Sequence, residues 1–440
     1  MKKNDIKVSL STLGCKVNQY DSEAMRESLE EYGFTLVPFR AHADCCIVNT
    51  CVVTEKTEAQ SRQLIRRALG SSPGCRVIVT GCYAQKSQDD LLAISDRVHL
   101  IGNREKKDIP VFIAELLKSG MAVNAVSDIS QETVFSTPAC SRFFDRTRAF
   151  LKIQDGCNSR CSYCIVPAVR GPSRSLPPAQ VKERCHSLVH EGYKEVVLTG
   201  IHLGAYGLDL TPRSSITDLL ISLEAQAQAS QLRIRLSSIE PTEFSDELIS
   251  FISQSGSVCP HVHIPLQSGD ETILKKMKRP YAPAFFKERM TRLHSAIPDV
   301  NIGIDVIAGF PGETDEQFEN TLACIDSLPV GYLHVFPYSR RHGTPAALLA
   351  DQVPEAVKKK RAQILRGLAA AKKNSFYASC KHKKLYVLVE GKRERSTGLL
   401  KGFSRNYIPV FLDGADGLKG REFLVKIEEV HEDRVYGVFV

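Results

Sequence analysis

No apolar run in the 440-residue chain approaches the roughly 18–20 residues of a membrane span. The opening MKKNDIKVSL carries lysines but no apolar core behind them, so a secretory signal is not expected. Membrane-embedded and secreted proteins are thereby set aside, and a cytoplasmic protein with no membrane partner is expected. Without export, a disulfide framework is not expected either, because cytosolic thiols stay reduced. Low-complexity tracts and solenoid-type repeats are also missing. The excess of one charge sign is small, +8 overall. With 43% hydrophobic and 25% charged residues, the chain reads as globular, with about two to four domains at roughly 100–200 residues each.

Against these absences, 14 cysteines stand out. They are too scattered for a small stapled scaffold, so metal binding, catalysis or burial must account for them. The charge is also uneven. Glu355–Lys384 holds ten Lys or Arg and one acid, which leaves the rest of the chain at −1. Most such runs are solvated helix faces; the sharper reading is a phosphate-binding stripe.

Strand and helix signals alternate from Ile6 to Lys118, which implies βαβ units and a parallel sheet. A second alternating series follows. Its strands are expected at Phe150–Gln154, Glu195–Thr199, Leu232–Ser237, His261–Leu266, Gly303–Ala308 and Tyr332–Pro337, the pattern of a barrel or partial barrel. From Leu385 onward, short strands without helices (among them Ser396–Gly402 and Asn406–Leu412) indicate a small antiparallel barrel of OB type. The fold class is therefore α/β with an N-terminal parallel sheet, a central partial (β/α)6 barrel and a C-terminal β-barrel. The expected division is 4–116, a linker at 117–142, 143–372 and 373–440.

Cys157, Cys161 and Cys164 form C-x3-C-x2-C directly after the first barrel strand, at the end where barrel enzymes place their sites. Three close thiolates can hold three irons of a [4Fe–4S] cluster and leave one open. Buried thiols or a zinc knuckle would be the plainer reading, but zinc wants a fourth ligand at matching spacing. Cys15, Cys51 and Cys82 each follow one of three consecutive strands of the first domain. Strand C-termini share a rim in a parallel sheet, so these thiols can converge on a second three-cysteine site. Cys75 precedes its strand and falls on the opposite rim, Cys45 and Cys46 are expected in the core, and the remaining cysteines match no ligand spacing.

The central spacing on a βα series resembles the radical S-adenosylmethionine (SAM) superfamily. With three upstream cysteines and a terminal barrel like a TRAM domain, the whole chain resembles the methylthiotransferase family. GCKVNQYDSE around Cys15 is similar to the branch acting on N6-threonylcarbamoyladenosine, 3′ of the tRNA anticodon. The isopentenyladenosine branch has GCQMN-like text and the ribosomal-protein branch GCPKN-like text. LTGIHLGAYG, RLSSIEP, HIPLQSG, MKRPY and HVFPYSRRHGTPA resemble the first of these branches too. Two departures are IVPAVRG, where Ala168 and Val169 stand in place of the family's Tyr-Ala, and the double Cys45–Cys46.

The resemblance implies two [4Fe–4S] clusters and two SAM molecules. One SAM methylates a sulfur at the Cys15/Cys51/Cys82 cluster. The other is cleaved at the Cys157/Cys161/Cys164 cluster to the radical that takes hydrogen from adenine C2. It also implies a tRNA anticodon stem-loop as partner, an electron donor such as flavodoxin or ferredoxin, and a sulfur source. SAM contacts are expected from Gly200, Ser238, Glu240, Gln267, Ser268, Asp305 and Gly309 at strand ends, where loop caps and turn glycines are equally common. RNA contacts are expected from Lys392, Arg393, Arg395, Lys401, Arg405 and Tyr407. His261 and His263 read as buried histidines, not ligands, and GFPGET lacks the phosphate-loop pattern. The same reaction on isopentenyladenosine or on a ribosomal-protein aspartate is the near alternative. A non-catalytic iron–sulfur RNA sensor is the alternative of another class.

Overall fold

The computed structural model describes residues 6–440 apart from Ser72 and Asp145. Six strands, β1 (Lys7–Thr12), β2 (Thr35–Val37), β3 (Cys45–Thr50), β4 (Arg76–Gly81), β5 (Val98–Ile101) and β6 (Asn124–Ala125), pair in parallel in the order β2-β1-β3-β4-β5-β6. Parallel pairing needs crossover helices on the faces, and Lys16–Glu31 and Glu55–Ser71 supply two of them. β3, CCIVNT, is buried along its whole length, as a strand covered on both faces must be. Its Cys46 and Val48 enter one core, and Cys45 and Ile47 the other. β2 and β6 were not expected, since edge strands of three and two residues are too short to show a period. β6 lies inside the segment expected as a linker and pairs Leu100 and Ile101 with Asn124 and Ala125. That segment is further tied down where Ser141 bonds Glu27 through its amide (2.9 Å) and hydroxyl (2.6 Å).

The six strands expected of the central barrel all form, as two parallel three-stranded sheets. Numbered with a small hairpin, they are β7 (Ala149–Lys152), β8 (Gln154–Asp155), β9 (Arg174–Ser175), β10 (Glu195–Thr199), β11 (Arg233–Leu236), β12 (His261–Gln267), β13 (Asn301–Ala308) and β14 (Tyr332–Pro337). One sheet runs β11-β10-β7 and the other β12-β13-β14, joined by a single bridge from Ile234 to Val258. Pro260, which has no N–H to give, follows that bridge and the arc opens there. Apolar side chains such as Val196, Leu198, Ile234, Ile264 and Ile304 pack into one large core. Glu195, Arg233, Arg235, His261 and His263 are buried polar residues of the same strands.

β15 (Lys384–Val389), β16 (Leu400–Ser404), β17 (Pro409–Leu412), β18 (Glu422–His431) and β19 (Arg434–Phe439) close a barrel in the order β15-β16-β17-β19-β18. It is antiparallel except between β17 and β19, which pair in parallel. Residues 396–399, expected in a strand, form a turn instead, because the Glu394 carboxylate accepts hydrogen bonds from Ser396 and Thr397. The basic segment is one helix, Glu355–Ser379. Part of its charge is spent internally. Arg361 is buried against Glu313 and Asp315 (2.7 Å each), and Lys372 donates to the Leu328 carbonyl (3.0 Å). Lys359, Lys360 and Arg366 remain exposed.

Buried charge joins the parts. Asp21 takes Lys106 (2.9 Å), Lys152 (2.8 Å) and Arg170 (3.1 Å). Asp155 takes Lys152 (2.6 Å), Arg170 (3.3 Å) and Arg174 (3.5 Å). At the other end, Glu195 holds Arg233 and Arg235, whose guanidiniums reach Glu422 (2.8 Å) and the Arg405 carbonyl (2.8 Å) of the C-terminal barrel. Burial pushes the Asp21, Asp155 and Glu195 carboxyls up, but the surrounding cations outweigh it and hold all three well below the usual carboxylate range. Unfolded carboxyls titrate near pH ~4, so this stabilisation is complete above about pH 5 and is lost as pH falls below that. Urea unfolding across pH 3–7 checks it. Asp21→Ala, which leaves Lys106 without a carboxylate and Lys152 and Arg170 with Asp155 alone, is expected to cost about 3–5 kcal/mol in the same measurement at pH 7.

Candidate active site: two cysteine triads on one interface

The first triad forms at a topological switch point. The chain moves from β1 outward to β2 and then back to β3, and such crevices at strand C-termini are where open α/β sheets bind ligands. Cys15 and Cys51 follow the two strands that flank the crevice, and Cys82 follows β4. Gly14 shows why the loop closes. It sits at φ +102, and a Cβ there would fall 2.8 Å from Cys51 Cβ and 2.9 Å from Cys51 Sγ. The three thiols feel one another's charge, and all three are free. Burial pushes Cys15 up and Cys51 up to about 12, while Arg170 pulls both down. Arg170 Nε lies 3.3 Å from Cys82 Sγ.

The second triad lies in the loop pinned by β8 and β9, which pair Gln154 with Ser175 and Asp155 with Arg174. Gly156, at φ +72, lets the loop leave β8, since a Cβ would strike the Pro172 carbonyl oxygen at 1.9 Å. Cys157 donates its amide to the Gly171 carbonyl (3.0 Å). Its Sγ accepts from the Ser159 amide (3.4 Å) and meets His202 Nδ1 at 3.5 Å. Arg279 Nη1 stands 3.3 Å from Cys161 Sγ. His202 Nε2 is 2.6 Å from Glu243. Burial works against its charge, but Cys157 and Glu243 carry it up to about 10. Cys157 is pushed up by burial and brought below its ordinary value by His202. Burial lifts Cys164 to about 12.

The donor chemistry fits iron–sulfur clusters at both places. Each triad offers three unpaired thiols and N–H donors aimed at sulfur, and hydrogen bonds to sulfur are a main control of cluster potential. Around the first triad, Lys106, Lys152, Arg170 and Arg174 face only Asp21 and Asp155, which leaves positive charge to balance thiolate ligands. The other cysteines lie elsewhere. Cys46 and Cys75 sit 3.2 Å apart in the core of the sheet.

Of the expected SAM-contacting residues, Gly200, Gln267, Ser268 and Gly309 stand at or just past strand ends, Ser238 and Glu240 lie in the loop after β11, and Asp305 lies within β13. Gly200 packs against Gln154, leaving no room for a side chain (a Cβ would lie 2.7 Å from Oε1). Ser238 is exposed. Glu240 forms a two-point pair with Arg279, the arginine that also reaches Cys161. Gln267 sits at φ +66 on a register shift of β12. Ser268 is fully buried, with its hydroxyl 3.2 Å from Thr321. Asp305 bonds His263 (2.9 Å) and His334 (3.2 Å), and these three could together hold a metal ion, a grouping the sequence did not suggest. The Gly309 amide donates to Glu313 (2.8 Å). Of the expected RNA contacts, Lys392 and Arg395 are exposed, Arg393 pairs with Asp416 and Lys401 lies over Phe403. Arg405 and Tyr407 turn inward, Arg405 to the Gly256 carbonyl (2.8 Å) and Tyr407 against His261. Arg170, His202 and Arg279 were missed. Each stands in a quoted stretch, but only the fold aims it at a sulfur.

A family model described as the Radical SAM superfamily matches residues 151–325, and one described as Uncharacterized protein family UPF0004 matches residues 7–102. Among solved structures, the radical SAM methyltransferase TsrM from Kitasatospora setae is similar in fold, with TM-score 0.58 and 14% identity over 78% of this chain and 77% of that one. The fold and the central triad define a radical SAM enzyme. The chain is 39% identical to the threonylcarbamoyladenosine tRNA methylthiotransferase MtaB of Bacillus subtilis, over 96% of this chain and 93% of that one. It is 39% identical to the MtaB of Rickettsia prowazekii, over 97% of each. A tRNA-2-methylthio-N(6)-dimethylallyladenosine synthase of Natranaerobius thermophilus is 32% identical over 97% of this chain and 95% of that one. The chain belongs to the radical SAM methylthiotransferases, and within them it is of the MtaB type. Among the described residues, no helix is long and apolar enough to cross a membrane.

Cys82→Ala is expected to lower the iron bound per chain by about half, because only one triad is broken. Iron and sulfide analysis checks this, and Cys161→Ala is expected to lose the complementary half.

Proposed function

We propose that this enzyme converts N6-threonylcarbamoyladenosine, 3′ of the tRNA anticodon, to its 2-methylthio derivative, with Cys15, Cys51 and Cys82 holding one [4Fe–4S] cluster and Cys157, Cys161 and Cys164 the other. The observation that carries this reading is the pair of free-cysteine triads bound to one interface, in a chain 39% identical to MtaB relatives over nearly its full length. When bound, the clusters and SAM supply the methyl group, the sulfur chemistry and the radical that an unactivated adenine C–H requires and no side chain provides.

The chain's own residues position and balance that chemistry. Arg170 and Arg279 each place a guanidinium on a ligand sulfur, Cys82 and Cys161 respectively. His202, held charged by Glu243, does the same for Cys157. Glu240, paired with the Arg279 that reaches Cys161, is a candidate to hold SAM, as are Gly200, Ser238, Gln267, Ser268, Asp305 and Gly309. Residues 373–440 serve as the RNA-binding part. Lys392, Arg395, Lys401 and the exposed lysines of the helix Glu355–Ser379 offer phosphate contacts. An electron donor such as flavodoxin or ferredoxin supplies electrons, and a separate source supplies sulfur.

Mass spectrometry of digested tRNA, from cells with and without the gene, tests the reading. The methylthio derivative of threonylcarbamoyladenosine is expected only with the gene. A methylthio isopentenyladenosine in its place would move the enzyme to the other tRNA branch, and no nucleoside change would defeat the tRNA reading. Cys161→Ala is expected to abolish reductive SAM cleavage, measured as 5′-deoxyadenosine. Affinity for the anticodon stem-loop is expected to fall steeply and log-linearly with salt.

A further inference from the structure

The central barrel holds more cation in one place than its acids cover. Lys16, the residue after Cys15 and the first of its helix, lies near enough to Tyr407, Arg235, Arg148 and Glu195 for their charges to act on it. Glu195 is already committed to Arg233 (2.5 Å) and Arg235 (2.8 Å), and Arg148 to Glu390 (3.1 Å). Among the described residues, no carboxylate pairs with the Lys16 ammonium.

Two further groups meet it there. His261 is only 3% exposed; its Nε2 lies 2.9 Å from the Tyr332 hydroxyl, and its Nδ1 is buried with no partner. Arg235, Lys16 and His263 all act on that ring electrostatically. Tyr407 comes from the C-terminal barrel on a backbone held at φ 68. That conformation is costly for a tyrosine and is kept only where the surroundings over-determine it. Its ring sits 4.7 Å from that of His261, with the Arg235 guanidinium 4.8 Å above it. An ammonium without a counter-ion, a buried imidazole nitrogen without a partner and a phenol held in a strained turn therefore converge, each from a different part of the chain.

We propose that Lys16, His261 Nδ1 and the Tyr407 hydroxyl form a carboxylate subsite that seats the threonyl carboxylate of the target nucleoside. This rests on the substrate reading given above. The threonylcarbamoyl group carries a free carboxylate and a hydroxyl, and the isopentenyl group is a hydrocarbon. A hydrocarbon in this place would bury the ammonium and the imidazole nitrogen unpaired, and a site built for polar partners rejects such an analogue strongly. Because Lys16 adjoins Cys15, seating the carboxylate also fixes the adenine relative to the first triad.

The test uses the full chain with both clusters loaded, and two anticodon stem-loop RNAs. One carries threonylcarbamoyladenosine and the other its methyl ester, which removes the charge and adds one methyl group. The wild-type enzyme is expected to lose about a hundredfold in kcat/KM on the ester, mainly through KM. Lys16→Gln is expected to fall by a similar factor on the acid and to treat acid and ester alike, and Lys16→Arg to keep the preference. Equal wild-type rates on acid and ester overturn the subsite, as does a Lys16→Gln enzyme that still prefers the acid. Iron and sulfide content reports whether the variant has folded and loaded; if it has not, the wild-type comparison decides alone. A wild-type enzyme inactive on the acid but active on an isopentenyladenosine stem-loop instead overturns the substrate reading itself.

Discussion

One guanidinium holds the active site together. Arg170 leaves the short helix Val166–Arg170 just after the second triad and is almost completely buried. It reaches Cys82 and Asp21 of the N-terminal sheet domain and Asp155 at the root of the second cysteine loop. The next residue, Gly171, accepts the Cys157 amide. Within two residues the backbone and side chain therefore tie both triads to one point. A buried charge of this kind adds little net stability, because desolvation offsets most of the attraction. Its value is geometric, since the planar fork fixes where each partner must sit. Lysine could not serve here, as a single ammonium cannot span Cys82, Asp21 and Asp155 together.

A second charged joint fixes the other end of the central barrel. Glu195 collects Arg233 and Arg235, and these carry the contact on to backbone carbonyls of the C-terminal barrel. The C-terminal barrel is thus docked against the central barrel rather than trailing on a linker. Docking also brings Tyr407 next to His261, so the C-terminal barrel contributes a side chain to the interior of the central barrel. On the proposed function, this joint holds the C-terminal barrel at a set separation from the cysteine triads.

Much of this was legible in the sequence, and for physical reasons. Cys157, Cys161 and Cys164 are close in the chain, so their spacing alone announces a site. Cys15, Cys51 and Cys82 are far apart, but each follows a readable parallel strand, and parallel topology converts that shared position into proximity. Arg170, His202 and Arg279 gave no such signal, because their partners lie in other parts of the fold and their side-chain direction depends on packing. Tyr407 misled for the same reason. An aromatic among basic residues reads as an outward stacking platform, but the αL turn at 407 aims the ring into the neighbouring barrel. The basic segment Glu355–Lys384 is helical as far as Ser379, and Arg361 and Lys372 are committed to internal partners, which charge counting cannot show.

The central claim is the proposal that the two triads, both tied to Arg170 and Gly171, act as one reaction centre. Electron paramagnetic resonance of the reduced protein with both clusters loaded tests it most directly. The account predicts a magnetic interaction between the clusters, seen as splitting or faster relaxation beyond the sum of the spectra of the two single-triad variants. A spectrum equal to that sum, with both clusters fully reduced, would contradict it.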